Sequence, residues 1–381
     1  MENIKYNLES KEIEFSGKIS SYKFYVKLFE ELKVFYMENG NSTPPVFSFT
    51  KVDEFDPLVL PNLLFLGLIL KTFHNGKIIP LKILNTSATK YLDNTQFFNN
   101  VGAPKIISEE FNVNNIKIEI VKRVGLEIFA FEKGYLGFYN NSNNLINYNP
   151  NHKIHVFENC SYEYYKNYLD KSLTPENLEL KLDTIRTKKF NELKPKIEKY
   201  FYNVLHAYER SQNNINTILS IITEIVCNSM LYSYSACSAM LQSKDNKTTI
   251  SISDIGIGFE GSFIKKPNFD NFVTRNFKSH YKKKLKNYLL IFDALHYSKS
   301  KERDNLYTLL VHILEKGGKM RIHYDNVQVI FTSNRCSGCD VIPMKCAKCL
   351  LDNLTSDYLI SPVRFYESNY QGVHIEVELN F

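Results

Sequence analysis

The chain has 381 residues, with 47 Lys and Arg against 41 Asp and Glu, a formal net charge of +6, 44% hydrophobic and 23% charged residues. That balance excludes wholesale disorder, a collagen-like repeat and an acidic solvating tail. The length predicts two or three domains, and so mild a positive charge permits an anionic ligand without marking a nucleic-acid binder. The chain opens MENIKYNLESKEIEF, without a charged and apolar leader, and its longest apolar run, Leu58 to Leu70, is broken by Pro61 and Asn62. The expectation is a cytoplasmic protein with no membrane span. Stable disulfides are rare in that compartment, so the seven cysteines point to metal binding or to no special role.

Residues 1–102 alternate strand and helix patterns. KEIEFSG (11–17), PVFSFT (45–50) and PLKILN (80–85) read as strands. Ser20 to Asn39 carries apolar residues at helical spacing and stops at Gly40. A second helix follows Asp56-Pro57, with Asp as N-cap and Pro in the first turn. A third runs from about Ser87 to Asn100. This repetition predicts a small α/β layer domain. Residues 103–193 form a connector or a small β-containing subdomain, with IKIEIVKRV and LEIFAF as strands and a hairpin and loop over GYLGFYNNSNNLINYNPN.

From about Lys194 the pattern becomes helical, first through Tyr200, Val204, Leu205 and Tyr208, then through Ile215 to Met240. The strand TTISISDIGIGF (248–259) ends in a glycine-rich turn. A basic stretch and a helix from about Asn305 to Glu315 come next. The Gly317-Gly318 turn then leads into the strands KMRIHY, VQVIF and GVHIEVELNF.

Two pieces carry chemistry here. Glu224 and Asn228, four residues apart, share one helical face. Asp254 stands at the end of a strand, and Gly256 and Gly258 let the backbone approach a flat or charged ligand. Each alone reads as a polar helix edge and a turn. Their order resembles the GHKL ATPases, the family of gyrase, the large heat-shock chaperones, histidine kinases and MutL, over about residues 195–381. The resemblance implies an ATP site: Asp254 accepts the adenine amino group, Gly256 and Gly258 lie under base and ribose, Asn228 holds Mg²⁺, and Glu224 activates the attacking water. An acidic acceptor for an exocyclic amine and an oxygen ligand for a hard cation agree with those roles.

The sequence departs from the family in two places. The second glycine box reads Arg303-Asp304-Asn305-Leu306-Tyr307, with both glycines lost, and the Gly-Thr that opens the last strand is Gly372-Val373. A histidine kinase is disfavoured, since its only candidate phosphoacceptor, His206, lies eighteen residues before Glu224. The implied function is an ATP–Mg²⁺-dependent regulatory switch or slow ATPase in bacterial stress response or defence. The alternative is a degenerate ATPase-fold scaffold.

Residues 1–102 are similar to STAS-like domains, the phosphorylatable partners of anti-sigma-factor kinases. The phosphoacceptor serine at the helix start is absent, because Asp56-Pro57-Leu58-Val59 stands there and Ser48 and Thr50 lie in the strand. The resemblance therefore implies a docking module for a protein partner, while the plain reading is a generic α/β domain.

The sharpest local motif is NRCSGCDVIPMKCAKCLLDN. Cys336 and Cys339 form one C-x-x-C, Cys346 and Cys349 another, with six residues between them. Four thiolates in this spacing predict a closed structural Zn²⁺ site, a zinc knuckle over 334–352. Arg335, Lys345 and Lys348 beside it, and the Lys278–Lys286 run in the lid position, leave nucleic-acid contact as a further reading of basic segments that are usually solvated faces. The fold expected overall is α/β: a STAS-like domain (1–102), the middle segment (103–193), and a GHKL sandwich (194–381) of helices on one face of a largely antiparallel sheet, interrupted by the knuckle.

Overall fold

A computed structural model describes residues 3–75, 77, 79–84, 87–95, 97, 119–121, 152–157, 175–206, 211–233, 237–244, 246–254, 256–264, 271–277, 285–299, 306–336, 341–357 and 359–380. Most of the expected middle segment, including the hairpin and LEIFAF, lies outside them. The chain divides into two compact units, Met1–Val156 and Phe157–Phe381, in a mixed α/β architecture with two five-stranded sheets.

The first unit holds a mixed sheet ordered β1 (Ile4–Asn7), β2 (Glu12–Ile19), β3 (Val46–Phe55), β4 (Leu81–Ile83), β5 (Glu119–Val121). The ladders β1–β2 and β4–β5 are antiparallel, and β2–β3 and β3–β4 are parallel. Alternation sends Ile13 and Phe15 from β2, and Phe47 and Phe49 from β3, into the core. Phe15 packs edge-on to Phe49 at 4.8 Å and Phe49 to Phe55 at 5.1 Å, favourable aromatic geometries. The helix over residues 21–39 (α1) contains a π-helical stretch, Phe24–Leu28, and ends at Gly40 in left-handed backbone (φ 63°). Asp56 caps the next helical segment through its Oδ1, which accepts the Leu58 N–H at 3.0 Å, and α2 (Leu60–Phe73) follows. Inside the unit Asn62 donates to the Tyr25 hydroxyl at 2.9 Å. The third helix, α3, covers Ser87–Asn94.

Strand β6 is His152–Phe157. In the second unit a sheet runs β7 (Cys237–Lys244), β8 (Lys247–Asp254), β10 (Val363–Asn380), β9 (Lys319–Thr332), with antiparallel ladders throughout. Two long helices precede β7, α4 (Pro175–His206) and α5 (Gln212–Ser233). After β8 come α6 (Gly258–Ile264), α7 (Phe272–Asn276), α8 (Lys286–Lys299) and α9 (Leu306–Glu315); α10 (Ser333–Cys336) and α11 (Pro343–Asp352) lie between β9 and β10. By length and composition α5 could cross a membrane, but 67% of its most apolar window is buried inside the protein. It packs on β7 and β8 as a core helix, while α8 and α9 pack on β9.

Three expectations need correction. The second helix ends at Ser233, not Met240, because Cys237–Lys244 is instead the first arm of a hairpin with β8, turned at Asn246 in left-handed backbone (φ 60°). KMRIHY and VQVIF are one strand, β9, which carries Asp325 at φ 56° within it. The basic stretch runs into a full helix, α8, whose Tyr288, Leu289, Ile291, Phe292 and Leu295 are buried.

One face of the second sheet is apolar, with Ile250, Ile252, Ile322, Ile375 and Val377 buried. On the neighbouring register positions stand Ser251, Ser253, His323, His374, Arg321, Glu376 and Glu378. Arg321 bridges Glu376 at 3.3 Å and also bonds Glu378, which Lys247 and Lys319 approach from either side. Burial alone would raise the Glu378 carboxyl, but these cations hold it down at about 2. Replacing Arg321 by Ala leaves two poorly exposed carboxylates short of a counterion. The expected loss is about 3 kcal/mol of unfolding free energy, measured by urea denaturation at neutral pH. Arg321→Ala should also flatten the loss of stability that the native chain shows as pH falls from about 4 towards 2, since the depressed Glu378 carboxyl stabilises only while ionised.

Candidate functional site

The candidate site forms where α5, β8 and β10 meet. Ser229 and Ser233 occupy the buried face of α5, four residues apart, among Ile222, Ile225 and Val226. Asp254 closes β8 and is buried; its Oδ1 accepts the Gly256 N–H at 3.1 Å and the Val373 N–H at 3.3 Å. The Ser229 side chain adds a further hydrogen bond. Burial pushes the Asp254 carboxyl up to about 7, although those hydrogen bonds favour its ionised form.

The glycine turn is packed tightly against α5. Ile257 N–H donates to the Ser233 carbonyl at 3.0 Å, and a Cβ on Gly256 would lie 2.1 Å from that same oxygen. The Gly256 carbonyl accepts from Gln371 Nε2 at 3.4 Å. Gly258 opens α6 in left-handed backbone (φ 64°), and a Cβ there would meet the Tyr324 ring at 2.5 Å. Only glycine fits either position, in the first for space and in the second for both space and backbone.

Neutral groups surround the carboxylate. Tyr370 is buried near Asp254, and burial followed by that carboxylate raises its phenol. Its ring stacks on His374 with centroids 4.3 Å apart. Burial lowers both imidazoles, His323 to about 3 and His374 well below the ordinary value. Cys237, the cross-strand partner of Asp254, has its thiol raised by burial and then by Asp254.

The sequence-predicted residues divide into two places. Asp254, Gly256 and the Gly372-Val373 pair converge at the junction, and Asn228 immediately precedes Ser229 on α5. Gly258 stands one step further on, against β9. Glu224 lies on the same half-buried α5 stripe as Asn228, but it lines a cavity of about 600 Å³ between α4 and α5. The lid lysines 278–284 and the residues 303–305 of the altered glycine box lie outside the described residues. Sequence reasoning missed Ser229, Ser233 and Tyr324. The two serines had left a readable signal, as polar breaks four residues apart in an otherwise apolar helical stripe.

The cysteine motif takes a different local form from the one expected. Cys346 and Cys349 sit on α11, one helical turn apart, so the second C-x-x-C is helical and not a knuckle turn. Pro343 at the start of α11 favours helix from that point on. Cys346 is buried, Cys349 is partly exposed, and Asn353 Nδ2 approaches the Cys349 sulfur at 3.6 Å. Cys336 ends α10, and Cys339 lies outside the described residues. Among the described residues no group of three or more metal-ligating side chains forms. The Cys346 and Cys349 thiols nevertheless share one helical face, and a nearby amide donor suits a thiolate acceptor. Tyr288 Oη of α8 donates to the Ala347 carbonyl at 2.6 Å and so ties α11 to the core.

Comparison of the chain with protein-family models, with curated proteins and with solved structures finds no match in any of the three.

Asp254→Asn keeps an oxygen acceptor for both backbone N–H groups and removes the ionisation. The folded carboxyl holds its proton to about pH 7, whereas an unfolded one releases it near 4. The native chain therefore loses stability as pH rises between those values, and the loss is complete above about 7. Thermal unfolding of both proteins from pH 5 to pH 8 should show Asp254→Asn gaining on the native chain with rising pH. Parallel curves would contradict the buried-carboxyl assignment.

Proposed function

We propose that the second unit binds ATP with Mg²⁺ at the junction of α5, β8 and β10, in the manner of the GHKL ATPases, and that the bound nucleotide acts as a regulatory switch. The observation that carries this reading is the convergence at Asp254. Helix α5 and the glycine turn reach it from one side, and Gly372-Val373, 119 residues away in sequence from Asp254 to Val373, from the other. The resemblance requires these same segments to meet at the adenine end of a nucleotide. In this reading Asp254 accepts the adenine amino group, Gly256 and Gly258 keep the floor clear of side chains, and Asn228 is the oxygen ligand for Mg²⁺. The ion supplies charge neutralisation of the phosphates when bound. The resemblance makes Glu224 the base for hydrolysis, but Glu224 lines the α4–α5 cavity and not the junction, and this together with the lost glycines of the second box makes turnover slow or absent.

A second reading, an ATPase-fold scaffold that binds no nucleotide, has its own support. The Asp254 oxygen is already occupied by two backbone N–H groups, and Gly256 is pressed against Ser233. Thermal unfolding with and without MgATP separates the two. A ligand at 100 times its dissociation constant adds about 2.7 kcal/mol, so the native chain should melt about 5 °C higher or more. Asp254→Asn should abolish that rise. No rise in the native chain establishes the scaffold.

For the first unit we read a STAS-like docking module for a protein partner, supported by its mixed sheet with covering helices. Ser48 pairs with Thr50 inside β3 at 3.1 Å, away from any helix start, which agrees with a module that is not phosphorylated there. For the lobe between β9 and β10 we read a structural Zn²⁺ site on Cys336, Cys339, Cys346 and Cys349, where the metal would cross-link a segment too small to bury a core of its own. Elemental analysis of the purified chain should find about one zinc per chain, and Cys346→Ser with Cys349→Ser should remove it. A metal-free native chain with the lobe folded would contradict the site.

A further inference from the structure

Helix α11 carries two thiols in unlike settings. Cys346 is 3% exposed, and Cys349, one helical turn further on, is partly exposed. Cys227 and Cys237, by contrast, are both fully buried, out of reach of a dissolved reagent. An exposed thiol beside a buried one suits the two steps of thiol–disulfide exchange. The outer sulfur meets the reagent in solvent, and the inner one needs only to reach its neighbour. Asn353 completes the outer position. Its Nδ2 donates to the Cys349 carbonyl at 2.7 Å and approaches the Cys349 sulfur at 3.6 Å, where a donor suits the sulfur in its charged, nucleophilic form.

Closing a disulfide here has a mechanical consequence. Cβ atoms three residues apart on a helix stand about 5–6 Å from each other, and a disulfide holds them at about 3.5–4.5 Å. The turn between them must tighten by about 1.5 Å. Inside that turn lies Ala347, whose carbonyl accepts the Tyr288 hydroxyl of α8 at 2.6 Å. Tyr288 is fully buried. The same helix carries Asn287, which donates to Asp325 Oδ2 of β9 at 2.6 Å, and Asp293, whose Oδ1 accepts the Val273 N–H of α7 at 2.7 Å. A shift of the Ala347 carbonyl therefore meets an element bonded to both β9 and α7.

We infer that Cys349 and Cys346 form a thiol–disulfide exchange couple for small-molecule disulfides of the glutathione type, and that its state reaches α8 through the Ala347 carbonyl. The Cys349 thiolate attacks one sulfur of the small disulfide. A Cys349–glutathione bond forms, the original S–S bond breaks, and one glutathione leaves. The Cys346 thiolate then attacks the Cys349 sulfur, which forms the Cys346–Cys349 bond and expels the second glutathione. Two protein thiols are oxidised, one small disulfide is reduced, and the two thiol protons end on the two glutathiones. The inference goes beyond the zinc reading of the same lobe; where the lobe holds Zn²⁺, each step removes one of its ligands and the exchange releases the ion.

In the test, the full chain as purified is equilibrated with oxidised glutathione, blocked with N-ethylmaleimide and digested with trypsin. Cleavage after Lys345, Lys348 and Arg364 separates the two cysteines. The couple then appears as peptide 346–348 joined to peptide 349–364, and the reduced form as two alkylated peptides. The joined pair is expected. Cys346→Ser should hold glutathione on Cys349, and Cys349→Ser should lose glutathione uptake on this helix. Hydrogen exchange in α8 should quicken about tenfold on joining, and Tyr288→Phe should show the faster exchange already in the reduced chain. Alkylated, unjoined peptides after equilibration, or a link from either thiol to Cys336 or Cys339 instead, would overturn the couple. Glutathione held on Cys346 in Cys349→Ser would overturn Cys349 as the attacking thiol. Unchanged α8 exchange on joining would overturn the path through Ala347. Zinc content, measured on the reduced chain, decides the zinc reading alone, so either idea can fail without the other.

Discussion

One carboxylate organises the second unit. Asp254 is withdrawn from water at the end of β8, and the protein meets it with backbone N–H groups from its own turn and from β10, together with a serine of α5. Each donor fixes an element. The turn must fold back sharply enough to present Gly256 N–H, α5 must come close enough to leave no room for a Cβ, and β10 must enter the sheet at Val373. Among the described residues dipoles and not a cation hold this buried carboxyl, and its ionisation is correspondingly reluctant. The imidazoles of His323 and His374 resist charge for the same reason from the opposite direction. This end of the sheet favours neutral forms, while the other end, at Arg321, Glu376 and Glu378, concentrates charge.

Much of this was legible in the residues. The N-cap at Asp56, the Gly40 stop and the shared face of Glu224 and Asn228 follow from local rules, and the structure places them accordingly. The end of α5 was not legible. Residues 234–240 continue a composition that helix tolerates, and what converts Cys237–Lys244 to strand is the partner strand Lys247–Asp254, a non-local cause. Helix α8 was hidden by the lysines leading into it, although Tyr288, Leu289, Ile291, Phe292 and Leu295 carry a helical stripe. The polar residues of β9 and β10 alternate plainly, but their ionic ladder depends on cross-strand register, which a single sequence does not give.

The candidate site was legible as types and order, and less so as arrangement. Asp254, Gly256 and Val373 belong together, as the order of segments anticipated. Glu224 borders a separate cavity because it lies five residues before Ser229, about 140° away around the helix, so Glu224 faces α4 while Ser229 meets Asp254. The cysteines showed the converse. Their spacing was conspicuous, yet Pro343 and the residues after it fold the second pair onto a helix.

The long ribbon of β9 and β10 has a mechanical side. Its ladder is regular from Val373 onward, where it belongs to the main sheet, and again at Val363–Phe365, where it carries the cysteine lobe; between them the register shifts twice. Irregular pairing of this kind bends and twists a ribbon locally while the flanking ladder stays intact. The ribbon is therefore bent between residues 365 and 373, where Tyr370 still pairs with Asp325, and the bend ends at Val373, whose N–H the Asp254 carboxyl accepts.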